Sequence, residues 1–198
     1  MNAVNVHQVA LHDFHRVAER VAAVYIQCFS EEPWNEVFQA GEVIERMQKM
    51  LTFQDAILLV ATHGEDILGT TVLYPLHYNA AVSANVGADH LGAMYCEELF
   101  VSRTYHRRGI GGRLFDTATG ISMALGYACR ILRTGADHEQ AKRFYMSRGY
   151  RQIGVMQCRS RKRLNGTASE TLDSRVLMLH TTPIPNSVPL GASPRRST

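Results

Sequence analysis

Apolar residues recur at helical spacing in four segments of the chain. The first segment carries Phe14, Val21 and Cys28 at such positions, and Asp13 before them suits a helix N-cap. The pattern predicts helices over residues 13–29, about 42–51, from the glycine turn near 109 to 125, and 137–148. Glycines stand directly after the last two segments, where helices commonly end.

Short apolar runs rich in β-branched residues separate these helices. Two of them, 57–62 and 67–74, flank a polar triplet and predict a hairpin. Further strands are predicted at 4–10, 94–102, 128–134, 150–158 and 175–180, with polar loops at 30–36, 77–92 and 161–174. The order β-α-α-β-β-β-α-β-α-β-β mixes hairpins with crossover helices. It predicts an α/β chain with a mixed sheet and helices on its faces, rather than a doubly wound fold.

Composition favours one cytoplasmic domain, which we place at residues 1–182. With 198 residues and 45% hydrophobic content the chain can bury a core, and 183–198 has the composition of a disordered tail. No signal-like segment opens the chain, and the run Ala56 to Ala61 is far shorter than the ~20 residues of a membrane span.

The net charge and the cysteine pattern limit the classes of partner that the sequence predicts. The four cysteines form no CxxC pair, which favours free thiols over disulfides or a metal site. The net charge of +3 comes without a long basic run. We therefore expect neither nucleic acid, membrane nor metal as a partner, and the sequence leaves a homodimer open.

The segment from Glu97 to Leu114 concentrates the candidate chemistry. A predicted strand leads into Arg107-Arg108-Gly109-Ile110-Gly111-Gly112, which opens a helix. Glycines let a ligand approach the backbone, and the arginines and helix N-terminus favour a phosphate, although a flexible basic surface turn would look the same. A Walker A loop needs Gly-Lys-Ser/Thr, and a dinucleotide fingerprint needs a glycine in place of Leu114, so both are excluded.

Two segments together resemble a known family. The stretch 101–111 is similar to the acetyl-coenzyme A motif (Gln/Arg)-x-x-Gly-x-(Gly/Ala) of the GCN5-related N-acetyltransferase (GNAT) superfamily. The stretch 141–150 resembles its Asn-x-x-Ala-x-x-Phe-Tyr-x-x-x-Gly-Phe helix, and 33–36 resembles its loop between the first two helices. The resemblance spans about residues 5–180 and implies a mixed, mostly antiparallel GNAT sheet with helices on both faces. His106 and His138 replace the usual Gln/Arg and Asn.

The resemblance implies direct transfer of an acetyl group from acetyl-CoA, used as a cosubstrate without a metal, to a primary amine. It assigns coenzyme contacts to the strand before the motif, the motif itself and the later helix. For the two histidines a plain surface role stays open. The assigned residues are Leu99, Phe100, Val101, His106, Arg107, Arg108, Gly109, Ile110, Gly111, Gly112, His138 and Tyr145.

Direct transfer needs a base and an acid, because an alkyl ammonium has a pKa near ~10 and a thiolate leaves more easily when protonated. Tyr145 matches the family tyrosine that donates to the sulfur; alone it would be an ordinary packed tyrosine. Glu97 and Glu98 compete for the base, with Glu97 the first candidate, and a solvent-exposed edge or salt bridge is the alternative. Strand alternation puts them on opposite faces, with Glu97 sharing that of Leu99. Cys96 has no partner spacing for a nucleophile and favours a buried thiol.

The acceptor is predicted from one loop. Glu31, Glu32 and Glu36 flank Trp34 where the family builds an acceptor wall, and acidic groups beside an aromatic face suit a small cationic amine such as a polyamine or aminoglycoside-like compound. An exposed loop with a packed tryptophan is an equal alternative. Transfer to a protein lysine or N-terminus, or a non-catalytic coenzyme-binding domain, are the competing functions. The missing motifs disfavour a nucleotide-binding protein.

Overall fold

The computed structural model describes residues 3–32, 34–164 and 167–182. A seven-stranded sheet forms its centre, with strands in the order β1-β2-β3-β4-β5-β7-β6. Among the described strands β4 and β5 pair in parallel and the other neighbours are antiparallel, so the mixed, mostly antiparallel sheet is confirmed. The strands are β1 (Asn5–Gln8), β2 (Ile57–His63), β3 (Asp66–Pro75), β4 (Met94–Val101), β5 (Cys129–Gly135), β6 (Arg151–Leu164) and β7 (Thr167–Thr181).

Helices cover both faces of the sheet. Because successive strand residues point to opposite faces, Leu58 and Val60 pack with α1 (Ala18–Phe29) and α2 (Ala40–Leu51). Ile57 and Leu59 pack on the other side, with α4 (Ile110–Ala124) and α5 (Glu139–Met146); a short helix α3 (Ala80–Ser83) precedes β4. In the part of the chain that the structure describes, no helix is long and apolar enough to cross a membrane.

Three segments differ from the sequence prediction. The predicted polar loop 161–174 is wrong, because β6 runs on to Leu164 and β7 starts at Thr167, so the two form one long hairpin. Its outer part carries polar side chains, so the apolar signal for a strand is lost there. The segment 77–92 contains α3 and short 3₁₀ turns, and the first helix begins as a 3₁₀ turn before α1. The predicted tail, 183–198, lies outside the described residues.

Candidate active site

A β-bulge on β4 brings Glu97 and Glu98 into the same cavity. Val72 pairs with Glu98, whereas the next residue of β3, Leu73, pairs with Cys96, so Glu97 is the extra residue. An extra residue interrupts the alternation of side chains along the strand. The expectation that the two carboxylates face opposite sides is therefore wrong: Glu97 binds Tyr74 and Glu98 binds Tyr25, and both tyrosines belong to the core under α1 and α2. Both carboxylates line one cavity of about 600 Å³.

Glu98 is held from the face covered by α1 and α2. The Tyr25 hydroxyl donates to Oε1 of Glu98 over 3.3 Å, and Nη2 of Arg46 donates to the same oxygen. Burial raises the pKa of Glu98 to about 7, although the charge of Arg46 acts in the opposite direction. A carboxylate that titrates near neutral pH is suited to general base catalysis.

Glu97 has partners on both carboxylate oxygens. Nη2 of Arg133 donates to Oε1 over 2.9 Å, while the Tyr74 hydroxyl and Nδ2 of Asn79 donate to Oε2. Nη1 of the same Arg133 lies 3.4 Å from Sγ of Cys158 on β6. The Glu97 side chain is 8% exposed, and its two occupied oxygens fix its orientation.

A gap opens between β4 and β5, and beyond it the backbone N–H groups of β4 on that side are not bonded to β5. The parallel pairing ends at Cys96 and Leu132, although both strands continue beyond these residues. Ser102 N–H donates to Leu68 O of β3, and N–H groups alternate in direction along a strand. The N–H groups of Leu99 and Val101 therefore point into the gap. The family resemblance implies that backbone donors for an oxyanion lie at this part of the strand.

The turn after β4 has the backbone shape of an anion site. Gly109 precedes α4 with a left-handed φ of 76°, and Arg107 also has a positive φ of 61°. Together these conformations turn the chain into the helix N-terminus, where free N–H groups meet the positive end of the helix dipole. Gly111 and Gly112 follow in the first helical turn, and the Ile110 side chain is buried, so its contribution to a ligand is limited to its backbone. The arrangement fits the pyrophosphate of coenzyme A.

His106 lies at the end of the gap. Its Nε2 is 2.8 Å from the carbonyl oxygen of Val101, which also accepts from Sγ of Cys28 over 3.2 Å. Because a carbonyl oxygen only accepts, the bond requires the proton on Nε2 of His106. The histidine therefore holds the turn against the end of β4, while Arg108 stacks on Tyr105 with its Cζ 5.3 Å from the ring centroid.

Tyr145 reaches the cavity from α5. It is 8% exposed and packs on Phe115, with ring centroids 5.5 Å apart. Burial raises the pKa of Tyr145 well above its usual value, so the hydroxyl keeps its proton at neutral pH. Because Tyr145 lines the cavity together with Glu97 and Glu98, the structure brings the three predicted catalytic residues together.

Trp34 and His138 form an aromatic wall of the cavity. Their rings lie edge to face with centroids 5.1 Å apart, and the Arg175 guanidinium lies over Trp34 at 4.6 Å. Burial and the charge of Arg175 lower the pKa of His138, so its imidazole is neutral at neutral pH. The Phe100 side chain instead packs in the core against Tyr25, leaving only its backbone near the gap.

The acidic loop is largely ion-paired. Glu31 contacts Arg103 at 2.6 Å and is not among the described residues that line the cavity, whereas Glu32 does line it. Glu36 lines the cavity too, but Arg175 donates to it over 3.0 Å. Two of the three predicted acceptor carboxylates thus have guanidinium partners that reduce their pull on a cation.

Local sequence patterns carried no signal for the partners of the two glutamates. Arg46 lies 52 positions before Glu98, and Arg133 lies 36 positions after Glu97. Each arginine sits on an element that the sequence predicts correctly, but only the packing of the elements creates the pairs.

Comparison with known proteins agrees with this geometry. The model of the acetyltransferase (GNAT) family matches residues 19–150. No curated protein matches the chain. The fold is similar to an acetyltransferase of the GNAT family from Staphylococcus aureus Mu50, with 16% identity, a TM-score of 0.63 and coverage of 91% of this chain and 100% of that one.

Two further solved structures share the fold. Ard1 from Thermoplasma volcanium is 13% identical with a TM-score of 0.60, covering 91% of this chain and 99% of its own. The PaiA N-acetyltransferase from Thermoplasma acidophilum was solved in complex with coenzyme A. It is 12% identical with a TM-score of 0.55, covering 90% of this chain and 99% of its own. With the family model spanning two thirds of its length, the chain belongs to the GNAT family of N-acetyltransferases, which use acetyl-CoA as the acetyl donor.

Proposed function

We propose that the protein transfers the acetyl group of acetyl-CoA directly to a primary amine of a small molecule. The observation that carries this proposal is the shared cavity of Glu97, Glu98 and Tyr145 beside the gap between β4 and β5. It combines a carboxylate that titrates near neutral pH with a phenol that stays protonated. These are the two proton-transfer groups that the reaction needs.

Glu98 is the base in this proposal, ahead of Glu97. The ammonium form of an alkyl amine has a pKa near ~10, so it must lose its proton before it attacks. Glu98, with a pKa of about 7, is ionised in a useful fraction at neutral pH and is a stronger base than an ordinary carboxylate. Glu97 is less suited to take the proton, because both of its oxygens already accept hydrogen bonds from fixed partners.

The remaining groups act on the donor side. The N–H groups of Leu99 and Val101 donate hydrogen bonds to the oxyanion of the reacting thioester and to the chain of acetyl-CoA. Tyr145 protonates the departing sulfur. Arg107, Arg108 and the N-terminus of α4 bind the phosphates. His106 supports this turn through its bond to the Val101 carbonyl.

The hairpin of β6 and β7 favours a small acceptor over a polypeptide. The Val37 N–H donates to Arg161 O over 2.8 Å, and the Arg163 N–H donates to Asn35 O over 2.7 Å. These bonds tie the α1–α2 loop to the hairpin beside Trp34. A folded protein or peptide acceptor needs an open groove there, whereas a small molecule needs only the cavity.

A cationic acceptor, which the sequence predicts, retains partial support. Four glutamates in this region each pair with an arginine: Glu97 and Glu98 at the reacting end, and Glu31 and Glu36 in the acidic loop. These pairs reduce the pull of the site on a cation. The proposal is therefore for a primary amine, without a requirement that the acceptor be a polycation.

The test is release of coenzyme thiol from acetyl-CoA in the presence of a panel of primary amines, with mass spectrometry of the acetylated products. We expect amine-dependent thiol release that Glu98→Gln suppresses without weakening coenzyme binding. Tight coenzyme binding with no turnover on any amine would instead indicate a non-catalytic coenzyme-binding domain. Preferential acetylation of proteins would overturn the small-molecule assignment.

A further inference from the structure

We infer that Arg46 of α2 is a positioning residue for the transfer: it holds one carboxylate oxygen of Glu98, Oε1, and so leaves the other, Oε2, to take the proton of the acceptor amine. The inference rests on the proposed function, in which Glu98 is the base. It adds a residue that acts through this base and sets the pH range in which the base works.

The two carboxylate oxygens of Glu98 have different surroundings. Oε1 accepts hydrogen bonds from Nη2 of Arg46 and from the Tyr25 hydroxyl. No donor in residues 3–32, 34–164 or 167–182 bonds to Oε2, and protein atoms do not enclose it. Because Glu98 lines the cavity, Oε2 is the oxygen that an acceptor amine can reach.

Arg46 is itself held in one orientation. Its Nη2 also donates to the Tyr25 hydroxyl over 2.6 Å, so a single nitrogen bridges Tyr25 and Glu98. The guanidinium carbon lies 5.1 Å from the centroid of the Tyr25 ring and 6.0 Å from that of Phe38. A planar guanidinium that packs on two rings keeps its orientation, and it thereby fixes that of the carboxylate bonded to it.

The charge of Arg46 keeps Glu98 usable as a base. Burial raises the pKa of Glu98, and Arg46 is the strongest influence in the opposite direction. Without Arg46, Glu98 would stay in its acid form to higher pH, and a protonated carboxyl accepts no proton. An arginine does not lose its own charge in the pH range of an assay, so its influence on Glu98 is constant.

Other titratable and charged groups also face Glu98 from the elements packed against it. They are Glu97 and Cys96 of β4, Arg133 of β5, Tyr145 of α5, Tyr25 of α1 and Glu36 of the α1–α2 loop. All of them remain when Arg46 alone is replaced, so a change in the titration of Glu98 then reports the loss of Arg46.

The proton transfer needs no further reactant. An N–H bond of the ammonium breaks, its electron pair stays on nitrogen as the lone pair that attacks the thioester, and an O–H bond forms at Oε2 of Glu98. The ammonium and the carboxylate both become neutral, while Oε1 keeps its bonds to Arg46 and Tyr25. Glu97 offers no such oxygen, because donors occupy both of its oxygens.

The experiment is the pH profile of kcat/KM for thiol release from acetyl-CoA with the primary amine that reacts fastest. In Arg46→Gln we expect the midpoint of the rising limb to move up by about one pH unit or more, as for the loss of an opposite charge beside a carboxyl. The loss of kcat/KM is then about tenfold near pH 7 and shrinks as the pH rises. A loss by the same factor at every pH is what a purely structural role gives, and it overturns the inference.

Two further variants separate charge from geometry. Arg46→Lys keeps the charge without the planar group, so we expect a midpoint close to that of the wild type and a lower kcat. Lys49→Gln is the matched control, because it removes the same charge from an exposed position of α2, and it should leave midpoint and kcat unchanged. An equal shift in Lys49→Gln assigns the effect to the net charge of the helix and overturns the inference.

A titration without substrate distinguishes this inference from the proposed function. The ¹³C NMR signal of the Glu98 carboxyl, identified by its loss in Glu98→Gln, should show the same upward shift of its midpoint in Arg46→Gln. An unchanged midpoint overturns the inference while the proposed acetyl transfer stands. No thiol release with any amine overturns both. Calorimetry should find the affinity for acetyl-CoA unchanged in Arg46→Gln, and a tenfold loss would place Arg46 in the coenzyme site instead.

Discussion

Glu97 and Glu98 are consecutive residues whose carboxylates line the same cavity, but each is held by a different arginine. Arg133 pairs with Glu97 from β5, and Arg46 pairs with Glu98 from α2. The bulge makes this possible, because a regular strand sends neighbouring side chains to opposite faces. One carboxylate is fixed through both oxygens, while the other is buried and titrates near neutral pH, so the two are expected to respond differently to substitution.

Replacing Glu98 by glutamine removes the proposed base. We expect kcat/KM of Glu98→Gln to fall by about 10²–10³-fold, the range of general base catalysis. In the wild type, kcat/KM rises with pH through about 7, where Glu98 ionises, and the variant lacks this step. Steady-state thiol release between pH 5.5 and 9 measures both effects. Glu45→Gln, exposed on α2, is the control. A rising limb that persists in Glu98→Gln assigns the base elsewhere.

The raised pKa of Glu98 also predicts how stability depends on pH. In the unfolded chain a glutamate titrates near ~4.3, whereas in the fold Glu98 titrates near 7. Between these values the folded state keeps a proton that the unfolded state has lost, so the contribution of Glu98 to stability falls as pH rises. The free energy of unfolding of the wild type minus that of Glu98→Gln should therefore decrease from pH 5 to 7.5 and then level off. Urea unfolding at several pH values measures it, and a difference independent of pH contradicts the assignment.

Tyr145 is expected to act through its proton. Since its pKa lies well above the usual value, it is a donor throughout the neutral range. Tyr145→Phe should lower kcat about 10²-fold with little change in the affinity for acetyl-CoA, because the ring still packs on Phe115. Single-turnover thiol release and calorimetry separate the two quantities.

Tyr150→Phe provides the comparison for Tyr145. Tyr150 also packs on Phe115, with centroids 5.6 Å apart, but it does not line the cavity among the described residues. Its substitution should leave kcat close to that of the wild type. If both variants lose the same activity, the effect comes from packing and not from proton donation.

The sequence predicts the order of elements because apolar periodicity and glycine positions are local signals. It predicts Glu97, Glu98 and Tyr145 as candidates through motifs. It fails at the bulge, because the register of β4 depends on β3, which no local pattern around Glu97 encodes. It also fails for the outer part of the hairpin 151–181, where polar side chains hide a strand that backbone pairing forms. The ion pairs of Glu31 and Glu36 depend on packing between distant segments, so the sequence shows the acidic loop but not the arginines that pair with it.

Gly109 is expected to be necessary for the coenzyme turn. Its φ of 76° lies in the left-handed region, where a side chain costs roughly 1–2 kcal/mol. Gly109→Ala should relax the turn, move the N–H groups at the start of α4 and weaken acetyl-CoA binding about tenfold or more, with a modest loss of stability. Calorimetry with acetyl-CoA measures the affinity, and thermal unfolding measures the stability.

Gly120 in the same helix makes the prediction specific. It is exposed, has no positive φ, and an added Cβ meets nothing within 4 Å. Because alanine favours a helix over glycine by roughly 0.5–1 kcal/mol, Gly120→Ala should stabilise the protein slightly and leave coenzyme affinity unchanged. If Gly109→Ala binds acetyl-CoA as tightly as Gly120→Ala, the left-handed turn is dispensable and the phosphates are held by the arginine side chains instead.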